Sequence, residues 1–237
     1  MSFRNKILRN KWLMAGLSKR GYSLQKYPDD DENRCTFESQ LNSNFSTDIF
    51  FSINDKLHFQ CSIGIQSQTV TDYFHRLSLY LDDPIWPSSD SPTRILSAEL
   101  SWLYWNTHPE IARNDNKYGF KSEEINDFFE DFDTVGQTFF SIIASPLTLA
   151  HLLSNILAYP NNFSFGGLIS VDPIIYSAIL YFECGERTKA TELLDKTLER
   201  YAYEVPGASW QVRRLRQLQE RRRILLENHE HLSLNDG

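Results

Sequence analysis

The chain has 237 residues, room for one large domain or two small ones, and its 41% hydrophobic and 23% charged content is that of a globular protein with a substantial core. A net charge of -7 repels phosphate backbones, which argues against nucleic-acid binding, and suits a basic protein partner. Three distant cysteines (Cys35, Cys61 and Cys184) without a CxxC pair argue against a disulfide or a zinc site.

Helical spacing of Ile7, Leu8, Trp12 and Ala15 predicts a helix over residues 3–19, closed by Gly21. Tyr22 to Tyr27 and residues 34–41 read as strands around the turn PDDDEN, with Cys35, Phe37 and Leu41 on one face. In DIFFSINDKLHFQCSIGIQS, residues 48–67, the apolar residues keep one parity: Ile49, Phe51, Ile53, Leu57, Phe59, Cys61, Ile63 and Ile65 are all odd. That predicts two more strands with one apolar face. Parity demands an odd-length loop at Asn54-Asp55-Lys56, and a three-residue loop pairs Ile53 with Leu57 and Phe51 with Phe59. Residues 22–65 therefore form an antiparallel meander of about four strands, whose apolar face needs a helical cover. The helix over 3–19 and a second over 69–81 are the candidates. Ser52, His58, Gln60, Ser62 and Gln66 are left on the even face, open to a partner. Both strand cysteines fall on the apolar parity and read as buried thiols.

DDPIWPSSDSPT (82–93) is a proline-rich loop; 95–105 fits a strand or a short helix, and 106–121 is polar and irregular. From there the chain turns helical. Ser122 is the expected N-cap of a helix carrying Ile125, Phe128, Phe129, Phe132, Val135 and Phe139 at helical spacing. Ser145 and Pro146 open a second helix, Asp172 and Pro173 a third that stops at Gly185, and Thr188 to Tyr203 form a fourth. NNFSFGGLIS is a loop. A basic helix spans about 208–229.

Candidate sites are few. Gly166-Gly167 has no phosphate-loop spacing, the six histidines form no HExxH or Cys-His cluster, and no GxSxG or Walker sequence occurs. We therefore expect no metal, no cofactor and no catalytic residues. Glu123, Glu124, Asp127, Glu130 and Asp131 form an acidic face on the aromatic helix, the candidate partner-binding residues. The basic stretch RRLRQLQERRR is expected to dock on the protein's own acidic helices. No segment approaches the roughly 20 apolar residues of a membrane span, and the first residues lack a cleavage signature, so a cytosolic protein is expected.

Two resemblances follow. AILYFECGERTKATELLDKTLERY resembles one tetratricopeptide-type helical hairpin, with Ala178, Tyr181, Gly185, Ala190 and Leu194 at its packing positions, Thr197 in place of its usual Ala, and no second copy. Over residues 3–81, a helix ending KRGY, then TFESQL, FSIN and SIGIQSQTV, followed later by SEEINDFFEDF, is similar to a bacterial family of domains of unknown function encoded beside polymorphic toxins. That resemblance implies a cytosolic immunity-type protein that neutralises a cognate toxin by occluding its active site. It supplies no catalytic residues.

The sequence thus predicts an α+β fold: an antiparallel sheet of four to five strands covered by helices on one face, then a helical C-terminal half. The α+β region is expected at 1–120 and the helical region at 121–237, packed on it as one continuous domain. Two other functions fit the same residues. One is an adaptor or secretion chaperone with a groove lined by Tyr176, Tyr181 and Leu194; the other is an enzyme without recognisable motifs.

Overall fold

The computed structural model describes residues 2–25, 34–53, 58–73, 93–100, 103, 118–155, 172–204, 219, 220, 222 and 223. It is α+β, with an antiparallel sheet and helices mostly in the C-terminal half. Two compact units emerge: Met1–Ser67, Arg94–Ala144 and Asn161–Ser164 make the first, and Gln68–Thr93, Ser145–Pro160 and Phe165–Gly237 the second. The Asn54-Asp55-Lys56 loop, residues 82–92, the Gly166-Gly167 segment and most of 208–229 lie outside the described residues.

The first unit opens with two helices, where the periodicity predicts one. α1 (Phe3–Arg9) and α2 (Lys11–Lys19) meet at Asn10, whose backbone is extended (φ -76°, ψ 99°). The Asn10 side-chain oxygen accepts from the Leu13 N–H at 3.0 Å, capping α2. This break resets the helical phase. Phe3, Ile7, Leu13 and Leu17 face the core, while the expected core residue Trp12 is 53% exposed. Gly21 (φ 80°) closes α2, with the Tyr22 N–H reaching the Leu17 carbonyl at 3.0 Å.

The strands are β1 (Ser23–Leu24), β2 (Arg34–Gln40), β3 (Phe45–Ile53), β4 (His58–Ser67), β5 (Thr93–Glu99) and β6 (Tyr118–Gly119). Their order is β1-β2-β3-β4-β5, with β6 also pairing with β4. Pairs β1–β2, β2–β3, β3–β4 and β4–β6 are antiparallel. The β3–β4 register is Ile53 with Phe59 and Phe51 with Cys61. The expected pairing of Ile53 with Leu57 is therefore displaced by two residues. Parity survives, because a two-residue shift keeps every side chain on its face. β5 ends at Glu99, so the strand is shorter than the 95–105 window.

The odd face of the sheet is the core. Phe37, Ile49, Phe51, Phe59, Ile63 and Ile65 are all at most 1% exposed, and Cys35 and Cys61 are buried free thiols. Removing each such Phe or Ile from water contributes roughly 1.5–3 kcal/mol. The N-terminal helix α1 packs on β2, as expected, and the rest of the cover is the segment 122–143, which clusters with the sheet and not with the later helices. It comprises α3 (Ser122–Asp131), one wide π-turn (Phe132–Gly136) and α4 (Gln137–Ile143). Phe128 sits 5.6 Å from the Phe51 ring and 5.8 Å from Phe59, centroid to centroid. In the π-turn the Gln137 N–H bonds the Phe132 carbonyl, five residues back. The extra residue lets Phe128 and Phe132 before it, and Phe139 and Phe140 after it, all reach the core.

In the second unit, residues 68–73 are helical, followed by α5 (Pro146–Ser154), α6 (Asp172–Glu183) and α7 (Arg187–Glu204). Ser145 caps α5, its hydroxyl accepting from the Thr148 N–H at 3.4 Å. Ser177 donates to the Ala150 carbonyl at 2.7 Å, tying α6 to α5. Gly185 (φ 77°) turns the chain between α6 and α7, and the Glu186 N–H returns to the Tyr181 carbonyl at 2.8 Å. Ala178, Tyr181, Ala190, Leu194 and Thr197 are buried in this hairpin; the Thr197 hydroxyl is satisfied by the Leu193 carbonyl at 2.8 Å. Of the basic segment, Arg222 pairs with Asp195 of α7 at 2.8 Å.

Candidate functional site

α3 begins at Ser122, with Lys121 as N-cap, so the expected cap lies one residue late. A lysine side chain has no acceptor, and the capping is done from the other end of the first turn. The Glu124 carboxylate accepts from the Lys121 N–H at 3.0 Å. Glu124 is therefore a half-buried structural group. Glu123, Asp127 and Glu130 are exposed. Asp131 is 2% exposed and accepts from the Tyr118 hydroxyl at 2.8 Å, beside the Phe59 and Phe128 rings that flank Tyr118. It sits three residues after Phe128, which places it on the buried side of the helix. The acidic surface is thus Glu123, Asp127 and Glu130.

This edge is held rigidly. α2 lies beside α3 and runs the same way, since Gly16 meets Phe129 and Arg20 meets Asp133. A Cβ at position 16 would lie 2.2 Å from the Phe129 ring, so only glycine allows this approach. Arg20 donates from Nε to Asp133 Oδ1 at 2.7 Å, pairs through Nη2 with Oδ2, and stacks 4.1 Å from the Phe129 centroid. Trp12 shares the i, i+4, i+8 stripe of α2 with Gly16 and Arg20. It therefore projects from the α2 side of the groove between the two helices, with Lys11 Nζ 5.3 Å from its ring.

The even face of the sheet holds a different arrangement. Ser52, His58, Gln60 and Ser62 are half-buried, but Gln66 is 1% exposed and so is not open to a partner. Its amide donates to Asp48 Oδ2 at 2.8 Å. Asp48 in turn receives Arg94 Nε at 2.9 Å on Oδ1, and Arg94 Nη1 reaches the Ser62 hydroxyl at 3.4 Å. The pair spans from β3 to β5, across β4. It passes over Gly64, the register partner of Asp48, where a Cβ would lie 2.3 Å from Arg94 Nε and 2.5 Å from Asp48 Oδ1. Burial pushes the Asp48 carboxyl above the ordinary carboxylate range, and the Arg94 charge and the Arg94 and Gln66 hydrogen bonds pull against that shift. The sequence reading did not find this network. Gly64 was the available signal, since a glycine inside a strand marks a close approach.

Cys35 and Cys61 are buried free thiols. Burial pushes the Cys35 thiol up to about 11 and the Cys61 thiol well above its usual value. Among the described residues no group of three His, Cys, Asp or Glu side chains could hold a metal ion, and no single helix is long and apolar enough to cross a membrane. Tyr176, Tyr181 and Leu194 are buried within the helical hairpin, and the Tyr181 hydroxyl is engaged by His151 Nδ1 at 2.8 Å. They serve the hairpin's packing instead of lining an open groove. No family model, curated protein or solved structure matches the chain.

Proposed function

We propose that this chain is a cytosolic immunity-type protein that binds a cognate toxin with a basic surface and neutralises it by covering the toxin's active site. The reading is of a binding protein, acting by occlusion and not by catalysis. The observation that supports it is the rigid, exposed acidic edge Glu123, Asp127 and Glu130, with an exposed tryptophan on the neighbouring helix. Acidic side chains at an interface rim steer a basic partner, and tryptophan is among the residues that dominate interface energies. Charges on a helix that is itself anchored by buried rings meet a partner without the cost of ordering the backbone.

The test is direct. The protein encoded beside this one is produced and its binding measured by calorimetry, together with growth rescue when both are expressed. A one-to-one complex is expected, and Glu123→Lys with Asp127→Lys should weaken it and flatten its salt dependence. A neighbour that neither binds nor harms growth sinks the proposal.

A further inference from the structure

Among the described residues the chain passes between its two compact units at three places: from Ser67 to Gln68, from Thr93 to Arg94, and from Ala144 to Ser145. Each is fastened, within the first unit, by a polar side chain of the β2–β3 hairpin. Asn42, in the turn between those strands, donates from Nδ2 to the Ala144 carbonyl at 3.0 Å. Asp48 serves the other two at once. Its Oδ2 accepts from Gln66, beside the last residue before the chain leaves, at 2.8 Å. Its Oδ1 accepts from Nε and Nη2 of Arg94, the first residue back, at 2.9 and 2.5 Å. The Ser46 hydroxyl reaches the amide oxygen of Gln66 at 3.4 Å. Asp48 and Gln66 are 2% and 1% exposed, so water does not replace these bonds while the fold is closed.

We infer that Asp48 is a clasp: it makes the exit and the return of the 68–93 excursion open and close together, in one step smaller than unfolding of the whole chain. Once Arg94 leaves, Asp48 is a buried carboxylate without counter-charge and must take up water or a proton. That change occurs on the group that holds Gln66, so losing one end loosens the other. Two ends held by separate contacts would open separately. The odd face takes no part, because Phe51, Phe59 and Phe128 meet on the other side of the sheet. The acidic edge of α3 is anchored by those rings and stays ordered while the ends of the excursion open. The inference therefore does not depend on what binds at that edge.

Hydrogen exchange of the full chain, read by mass spectrometry, tests it. The flanks are residues 66–73 and 93–99; the core is read at 49–51 and 128–132. In the wild type both flanks are expected to exchange faster than the core, with one common opening constant. Arg94→Met should speed both flanks by a similar factor, about tenfold or more, although Gln66 is untouched. Phe128→Leu weakens the closed and the clasp-open forms alike, so it should speed the core and leave the flanks unchanged. Flanks that follow Phe128→Leu as closely as the core does would show that they open only with the whole chain. An Arg94→Met variant that speeds 93–99 alone would show that Asp48 does not couple the two ends. Either result overturns the clasp. Should Arg94→Met fail to fold, the wild type and Phe128→Leu still decide.

Discussion

Asp48 and Phe51 stand three residues apart on β3, project to opposite faces of the sheet, and are 2% and 0% exposed. The odd face is held by rings and aliphatic groups whose attraction has no direction. The even face, at Asp48, is held by an ion pair that must meet at defined atoms. The difference lies in how each fails. A truncated ring leaves a cavity that neighbours partly fill, whereas a deleted cation leaves a buried carboxylate with no counter-charge. Alternation along a strand therefore reports the face on which a side chain lies, and not whether that face is wet.

The largest effect is expected on the aromatic side. Phe128 touches the rings of Phe51, Phe59, Tyr118, Phe129 and Phe132. Phe128→Ala should cost roughly 3–5 kcal/mol in urea unfolding. A loss under about 1 kcal/mol would mean that this cluster is not the centre of the core. Next comes the ion pair. Arg94→Met strands Asp48, and because the Arg94 side chain is 29% exposed the cost should be about 2–3 kcal/mol. Adding Asp48→Asn to that variant should recover much of the loss; failure to do so would show that Arg94 acts by packing over Phe50 instead of by charge.

The smallest effect is a trend with pH. The Asp48 carboxyl is raised in the fold, so in a window just above the ordinary value of about 3.9 the folded chain holds a proton that the unfolded chain has already lost, and the ion pair with Arg94 is complete only above that window. Its contribution is fully present below the unfolded value and is lost as pH rises through the folded one. Asp48→Asn should therefore gain on the wild type as pH climbs above the ordinary carboxylate value of about 3.9. Urea midpoints of the two proteins, measured in parallel, check the sign. A wild type that gains over that range would mean that the attraction of Arg94 outweighs burial.

Much of the apolar face was legible, because strand parity and helical spacing are local. Phe37, Ile49, Phe51 and Phe59 were readable from alternation, as were Ile125, Phe128 and Phe132 from helical spacing. The register was not, since pairings two residues apart satisfy the same parity. Asn10 hid the break between α1 and α2 because an asparagine inside a helical pattern is only mildly unfavourable; here it caps. The exposed acids Glu123, Asp127 and Glu130 were legible as surface. Asp131 was not separated from them, although its spacing from Phe128 was available. Gly64 marked a close approach on β4, but which side chains make it, Asp48 and Arg94, was out of reach, because they lie 46 residues apart and meet only through the strand order.

The wide turn at Phe132–Gly136 has a consequence for how this chain tolerates changes of length. An ordinary α-helix is a ratchet: one residue added or removed rotates everything beyond it by about 100°. Here the surplus residue is already absorbed in a loop of backbone on the solvent side, where Asp133 and Thr134 are exposed. Deleting Thr134 should close the turn to α geometry and leave Phe139, Phe140 and Ile143 on the face they now occupy. Deleting Thr138 one turn later should swing those three rings and chains into water. Comparing the melting of the two deletions reads out whether that segment is a spliced helix with a built-in slack of one residue.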